Sequence, residues 1–552
     1  MTIPIKIALL WHQHQPYYKT GNVFQLPWVY LHATKDYLEM AEQLARHPAM
    51  HATINLVPSL LEQLDDYCNG VAVDRLLSTI QKPVTKLTTE EQEYLRTYCF
   101  HANRGTIIAK SKRYTELLHL LYWSYSQDIL DLEVLFLLAW TGELQKQQEP
   151  LASLVKQDRD FTEEQKQIVL AEHLKIIRSV IESHKFLAER GQVELSCSPY
   201  YHPILPLVCD TNSAREVVAD IVLPAYHFSA AEDAREQIIR GLASHERCFG
   251  KPSIGMWPSE GSISDEALGI MAESGLTWTA SDEGILENSL NHPDAAISTQ
   301  EFGDLEKYFP RKFTSGEKSI VVFFRDHRLS DKIGFDYQTW KSFDAVSDFI
   351  HYVKHIRTQI LGRFGEEALR DACITVILDG ENCWEFYPNN GNDFLREFYT
   401  RLSNDEEIHP VTFTEAIREI SPIRPITHIA AGSWINANFK IWIGHSEKNK
   451  AWELLTHTKA ILRSYRIDNP NYDEAYEKAY TALLKAEGSD WFWWFGEDHF
   501  STDRPIFDEL FRSHLKAVYR YLSVDIPPEL DEPIVSSQNA GLFGAMHRVK
   551  EA

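Results

Sequence analysis

"CITVILDGENCWEFYP", residues 373–388, opens with seven residues of which only the last, Asp379, is charged, and a glycine follows directly. A run this apolar, without in/out alternation, predicts a strand covered on both faces, as in a parallel sheet. Six other segments read the same way: "KIALLWH" (6–12), "HATINLV" (51–57), "QVELSCS" (192–198), "SIGMW" (253–257), "LTWTAS" (276–281) and "SIVVFFRD" (319–326). Between most of them lie amphipathic helical stretches such as "ISDEALGIMAESG" (263–275) and "FDAVSDFIHYVKHIRTQIL" (343–361). Strands alternating with helices predict an α/β fold, and seven such strands suit a distorted TIM-like (β/α)7 barrel, one strand short of a closed eight.

Residues 1–430 are expected to form this barrel. A helical insertion at about 60–188 carries helix-period leucines, as in "ELLHLLYWSYSQDILDLEVLFLLAW". Residues 431–535, with "AYEKAYTALLKAEG" and "FDELFRSHLKAVYRYL", read as a C-terminal helical region that completes the site, and 536–552 as a loose tail. With no internal repeat or low-complexity linker, the helical parts should pack on the barrel.

The 552 residues carry a formal charge of −24, which argues against nucleic acid or an anionic membrane face as the main partner. The 14 tryptophans and 24 tyrosines would serve as stacking surfaces for a neutral polyhydroxylated ligand. None of the seven cysteines forms a CxxC pair, so neither a thiolate zinc site nor a disulfide framework is expected. The N-terminus has no charged segment leading into an apolar core, and no apolar run reaches spanning length. A cytoplasmic protein is expected.

Functional groups of a parallel barrel gather at the C-terminal strand ends. Those ends carry His12 and His14, Glu194, Trp257 and Glu260, Asp282, Asp326, Asp379 and Glu381. A carboxylate capping a buried strand is expensive unless it is paired or used. Asp379 as a helix cap and Glu260 as a salt-bridge partner are the plain alternatives. Two carboxylates without a thiolate cluster fit glycoside hydrolysis, one attacking the anomeric carbon and the other protonating the leaving oxygen. His12 and His14, one residue apart on a strand, point to one face. They would build a metal site, a hydrogen-bonding floor for sugar hydroxyls, or a packed strand end. A metal-dependent carbohydrate deacetylase is a competing class that would need His12, His14 and an aspartate on zinc. Arg325 and Asp326 read equally as an ion pair or as sugar contacts, and His202 reads as a structural loop histidine. Trp434 and Trp384 are candidate sugar platforms.

The segments "WHQHQPYY", "GQVELSCSPYYHPILPL", "GMWPSEGS" and "VILDGENCWEFYPNNG" together resemble the successive signature regions of glycoside hydrolase family 57. "AAGSWINANFKIWIGHSEKNKAW" and "AEGSDWFWWFGEDH" are similar to later blocks of its amylopullulanase and α-amylase type. The resemblance implies a (β/α)7 barrel that acts on an α-glucan polysaccharide or oligosaccharide, with retention of configuration, no cofactor and no catalytic metal. It implies α-1,4 cleavage, with α-1,6 branch points as a further candidate. 4-α-Glucanotransferase and branching activities are the alternatives within the family. By motif, Glu260 matches the nucleophile and Asp379 the general acid/base. His12 and His14 match the histidines lining the sugar subsite at the cleavage point, and Glu194 matches the acidic residue of the second signature region. Glu194, Trp257, Asp326, Trp384 and Trp434 are expected as further substrate contacts. Cys383 departs from the pattern, standing where such relatives commonly have proline.

Overall fold

In a computed structural model, the protein is described over residues 3–535 apart from 72, 121–122, 124–125, 293–302, 472 and 500. The expected tail at 536–552 lies outside the described residues. Seven strands form the barrel: β1 (Ile5–Gln13), β2 (Ala52–Leu56), β3 (Val193–Ser196), β4 (Gly255–Met256), β5 (Trp278–Asp282), β6 (Lys318–Arg325) and β7 (Cys373–Asp379). They are the seven segments read from the sequence.

All neighbours in the ring are parallel. β1 pairs with β2 and β7, β2 with β3, β4 with β5, β5 with β6, and β6 with β7. A single bridge, Cys197 to Met256, joins β3 to β4 and closes the ring. The β6–β7 seam is nearly as thin, with one register pair, Arg325 opposite Thr375. The Asp326 N–H donates to the Thr375 carbonyl at 2.8 Å. An eighth strand, β8 (Ile408–Val411), lies parallel to Ile5–Ala8 of β1, below the level at which β2 takes over at Leu10.

The barrel is filled, as its width requires. Leu10, Trp257, Trp278, Phe323, Ile377 and Phe413 form one apolar cluster. Phe413 opens the short helix α1 (Phe413–Glu419) and stacks 4.3 Å from Trp278, plugging the N-terminal end. Chemistry is therefore confined to the other end, where the register sets His12 beside both Asn55 and Asp379.

The insertion between β2 and β3 holds helices, the longest running from Glu163 to Glu189. Its neighbour, Ser126–Ala139, is buried continuously from Asp128 to Leu138, as befits an internal helix apolar on most sides. Its acidic residues are paired, Glu133 with Lys166 at 2.8 Å and Asp131 with Arg113 at 2.8 Å. Near the C-terminus come α2 (Ser446–Asp468), α3 (Glu474–Ala486), α4 (Ser489–Trp494) and α5 (Arg504–Leu522). The turn between α3 and α4 touches the barrel directly. Pro203 bridges Gly488, and the Ser489 N–H donates to the His202 carbonyl at 2.9 Å. A side chain at Gly488 would lie 2.8 Å from the Tyr201 carbonyl, so only glycine allows this approach. Among the described residues no helix is long and apolar enough to cross a membrane.

Candidate active site

His12 Nδ1 lies 2.7 Å from Asn55 Oδ1, while Asn55 Nδ2 donates to Ser196 Oγ at 3.1 Å. Ser198 Oγ lies 2.7 Å from Trp257 O and 3.0 Å from Asn55 Oδ1, with its single O–H shared between these two acceptors. This network spans β1, β2 and the loop joining β3 to β4. Because Asn55 Oδ1 can only accept, it assigns the proton to His12 Nδ1 and leaves Nε2 as a bare acceptor. Burial, and then the neighbouring His14, push the His12 pKa down to about 3, so the ring is neutral.

His14 Nε2 donates to Asp490 Oδ1 at 2.8 Å, a partner supplied by α4 from 476 positions away. His202 joins them. Its backbone is left-handed at φ 57°, and its ring stacks on His14 with centroids 3.8 Å apart. Its Nδ1 is 3.0 Å from Ser489 Oγ, and its buried Nε2 has no partner. Burial holds His202 neutral, reinforced by His14 and His12. The wall is thus three imidazoles, with His12 Nε2 a lone-pair acceptor suited to an O–H donor and His202 Nε2 without a protein partner. Atoms of His14, His202 and Asp490 lie within 4.8 Å of one another, a spacing that could hold a metal ion. Rings stacked face to face aim their in-plane lone pairs side by side, however, so a shared ion would require them to splay.

Glu260 occupies the loop after β4 with φ 58°, a left-handed conformation that costs about 1 kcal/mol or more in a residue with a Cβ. A clamp holds it there. The Trp434 N–H donates to the Glu260 carbonyl at 2.9 Å, and the Trp434 indole donates to Glu260 Oε2 at 2.8 Å. Ile263 and Gly432 extend the clamp as an antiparallel bridge. Burial, then the charges of Asp379 and Asp490, push the Glu260 carboxyl up to about 8 against the pull of the Trp434 bond.

Asp379 ends β7 and accepts from Asn382 Nδ2 at 2.9 Å. Burial raises its pKa, opposed by Asn382, His14 and Arg325. Glu381, two residues on, accepts from the His14 N–H at 3.2 Å and from Gln15 at 3.3 Å. Burial and the charge of Asp379 hold it well above the usual carboxylate range. Arg325 completes the rim, 5.2 Å from the Trp434 ring and bonded to Asp331 at 2.6 Å and Asp282 at 3.2 Å.

His12, His14, Glu260, Asp379 and Trp434 therefore share one end of the barrel. Four other expected site residues have different placements. Glu194 lies inside the barrel at the level of Leu10, below the site. It accepts from the Trp278 indole at 2.7 Å and from Thr414 Oγ1 at 2.6 Å and N–H at 2.9 Å, anchoring α1. Trp384 is 1 % exposed, donates to the Gly380 carbonyl at 2.7 Å and packs edge-on against Trp11, so no ring face is open to a sugar. Asp326 caps the helix His327–Asp331 through Leu329 N–H at 2.8 Å and accepts from Tyr308 at 2.7 Å. Trp257 is fully buried beneath Trp434 as part of the floor. Of the two readings of Arg325 and Asp326, the mutual ion pair is replaced by Arg325 bonds with Asp282 and Asp331. Asp490 goes unmentioned among the candidates read from the sequence, and His202, read there as a structural loop histidine, stands in the wall of the site. Their one signal is the chemistry of "YYHP" and "GSDW", which says nothing of mutual distance.

The family model described as Glycosyl hydrolase family 57 matches residues 8–427. An α-amylase of Pyrococcus furiosus is 23% identical over 263 residues, which cover 48% of this chain and 32% of that relative. The chain thus spans about a third of the length of this curated relative. A branching enzyme of the same family from Thermococcus kodakaraensis, solved with glucose and additives, superposes with a TM-score of 0.60. Its identity is 15%, over 99% of this chain and 100% of that one. An α-amylase from Thermotoga maritima gives a TM-score of 0.58 at 15% identity, over 94% and 93%. At such identities these two likenesses concern the fold.

Proposed function

The chain belongs to glycosyl hydrolase family 57, and on that premise we propose that it is a retaining α-glucan hydrolase, cleaving α-1,4 links through a covalent glycosyl-enzyme. The observation that carries this reading is the coupling of two carboxyls at one barrel end, where the charge of Asp379 raises the pKa of Glu260. Two carboxyls that resist ionising together hold one proton between them near neutral pH. That is the state an acid and a nucleophile need.

In the ligand-free site Glu260, pushed up to about 8, holds a proton near neutral pH. The reaction needs the reverse. A bound sugar supplies it, since a glycosidic oxygen that accepts from Asp379 stabilises the protonated acid, while the Trp434 indole stabilises ionised Glu260. Asp379 then protonates the leaving oxygen as Glu260 Oε attacks the anomeric carbon. In the second half Asp379 takes a proton from water, whose oxygen displaces Glu260 and restores the configuration. His12 accepts a sugar O–H through its Nε2, the unpartnered His202 Nε2 pairs with a second hydroxyl, and His14 is oriented by Asp490.

Maltoheptaose decides the reaction type. Products shorter than the substrate, released as the α-anomer, support hydrolysis with retention. Oligomers longer than seven units would replace it with a 4-α-glucanotransferase or branching activity, in which a sugar hydroxyl takes the place of water. Pullulan tests α-1,6 cleavage separately.

A further inference from the structure

Trp340 is 43 % exposed and is the one tryptophan more than about a third exposed among the described residues; eight others lie below 2 %. It stands in the segment that leaves β6, with Phe335 at 52 % and Phe343 at 65 % on either side. Large apolar groups gathered on a surface cost solubility and mark contact sites.

The inner side of this patch is fixed. Lys332 Nζ sits 5.3 Å from the centroid of Tyr337, 5.8 Å from Trp340 and 4.9 Å from Tyr352. The same ammonium bonds Asp348 at 2.9 Å, and Asp348 also accepts from the Tyr337 hydroxyl at 2.8 Å. Arg328 covers Tyr352 at 4.2 Å. The backbone is irregular here, a π-turn over Lys332–Asp336 followed by a 3-10 turn over Tyr337–Thr339, and it turns Trp340 outward while Tyr337 stays buried. A ring held from beneath by a cation and a tyrosine loses little freedom when something stacks on its outer face.

The segment that carries Trp340 is linked to the candidate active site by a chain of side-chain contacts. Asp331, next to Lys332, bonds Arg325, which lies over Trp434, whose indole bonds Glu260. The Ile333 carbonyl accepts from the Tyr387 hydroxyl at 2.5 Å, tying the same segment to the loop that follows Asp379.

We propose that Trp340, on its Lys332–Tyr337–Tyr352 base, is an accessory platform for an α-1,4-glucan chain, separate from the cleavage site. Sugar rings present apolar C–H faces for stacking and a hydroxyl rim, and exposed Asp336, Thr339 and Lys341 supply polar partners around the ring. The ligand class rests on the α-glucan reading above. A platform on the strand-end rim holds polymer near the site without taking part in bond cleavage.

The test is native electrophoresis through gels containing glycogen, alongside turnover of maltoheptaose. Wild type is retarded, and Trp340→Ala loses most of the retardation, with apparent Kd for glycogen raised about fivefold or more. Its kcat/KM on maltoheptaose and its Tm stay close to wild type, and Trp340→Phe keeps part of the retardation. Wild type that runs unretarded, or Trp340→Ala retarded like wild type, overturns the platform. Equal losses on glycogen and maltoheptaose would also overturn it, by placing the ring in the cleavage site. Trp340-dependent retention by a protein inert toward maltoheptaose would keep the platform and reject the hydrolase reading.

Discussion

Trp434 grips Glu260 twice, through its backbone N–H to the Glu260 carbonyl at 2.9 Å and through its indole N–H to Oε2 at 2.8 Å. The first contact fixes a left-handed backbone, and the second sets the ionisation of the side chain it presents. Trp434→Phe keeps the bulk and removes only the second. Hydrogen bonds to charged groups are worth about 1.5–3 kcal/mol, so kcat/KM on maltoheptaose should fall roughly ten- to a hundredfold. The indole lowers the Glu260 pKa, so its loss should move the alkaline limb of the pH profile upward from about 8. A limb that stays in place would separate Trp434 from the titration of Glu260.

Asp490→Asn should move the same limb the other way. The charge of Asp490 raises the Glu260 pKa, and removing it lets Glu260 ionise earlier. Turnover should drop as well, because His14 loses the carboxylate that orients it at 2.8 Å. A pH–rate series on both variants checks the opposed signs directly.

Glu260→Gln should abolish nearly all turnover and stabilise the fold in a pH-dependent way. The folded pKa of about 8 lies above the ordinary value of 4.5, so the folded protein binds the proton more tightly than the unfolded chain. That contribution is whole below about pH 4.5 and is lost as pH rises through 8, leaving an ionised carboxylate in a desolvated place. Glutamine carries no such penalty. Because Glu260 is partly open to solvent, a gain of about 1–3 kcal/mol at pH 8 is expected, shrinking toward zero near pH 4.5. Denaturant melts at the two pH values measure it.

Glu194→Gln separates stability from chemistry. Glutamine has one acceptor oxygen where Glu194 uses two, on Trp278 and both donors of Thr414. A loss of about 1–3 kcal/mol of stability is expected, with kcat/KM within roughly twofold of wild type. A large fall in kcat/KM without loss of stability would return Glu194 to the sugar site.

The barrel was legible because burial on both faces leaves a mark that local sequence keeps, and all seven strand segments coincide with β1–β7. Depth along the barrel axis leaves no such mark. Glu194 and His12 both sit on apolar strands, yet the register puts one beside Thr53 at the Leu10 level and the other beside Asp379. Asp326 and Trp384 follow strand ends as expected but turn away, one to cap a helix and one to fill the space beside Gly391. His202 and Asp490 were hidden for another reason. Each becomes a site residue only through the other's neighbourhood, the Ser489 contact that joins two loops remote in sequence.

The histidines come from the end of the first strand, and the acid that orients one of them follows 476 positions later. A nascent or truncated chain ending before Gly488 would have a barrel and both carboxyls, yet its imidazole wall would stand open on one side. The C-terminal helices thus act on the barrel at a distance in sequence, by bracing two of the three rings through Asp490 and Ser489.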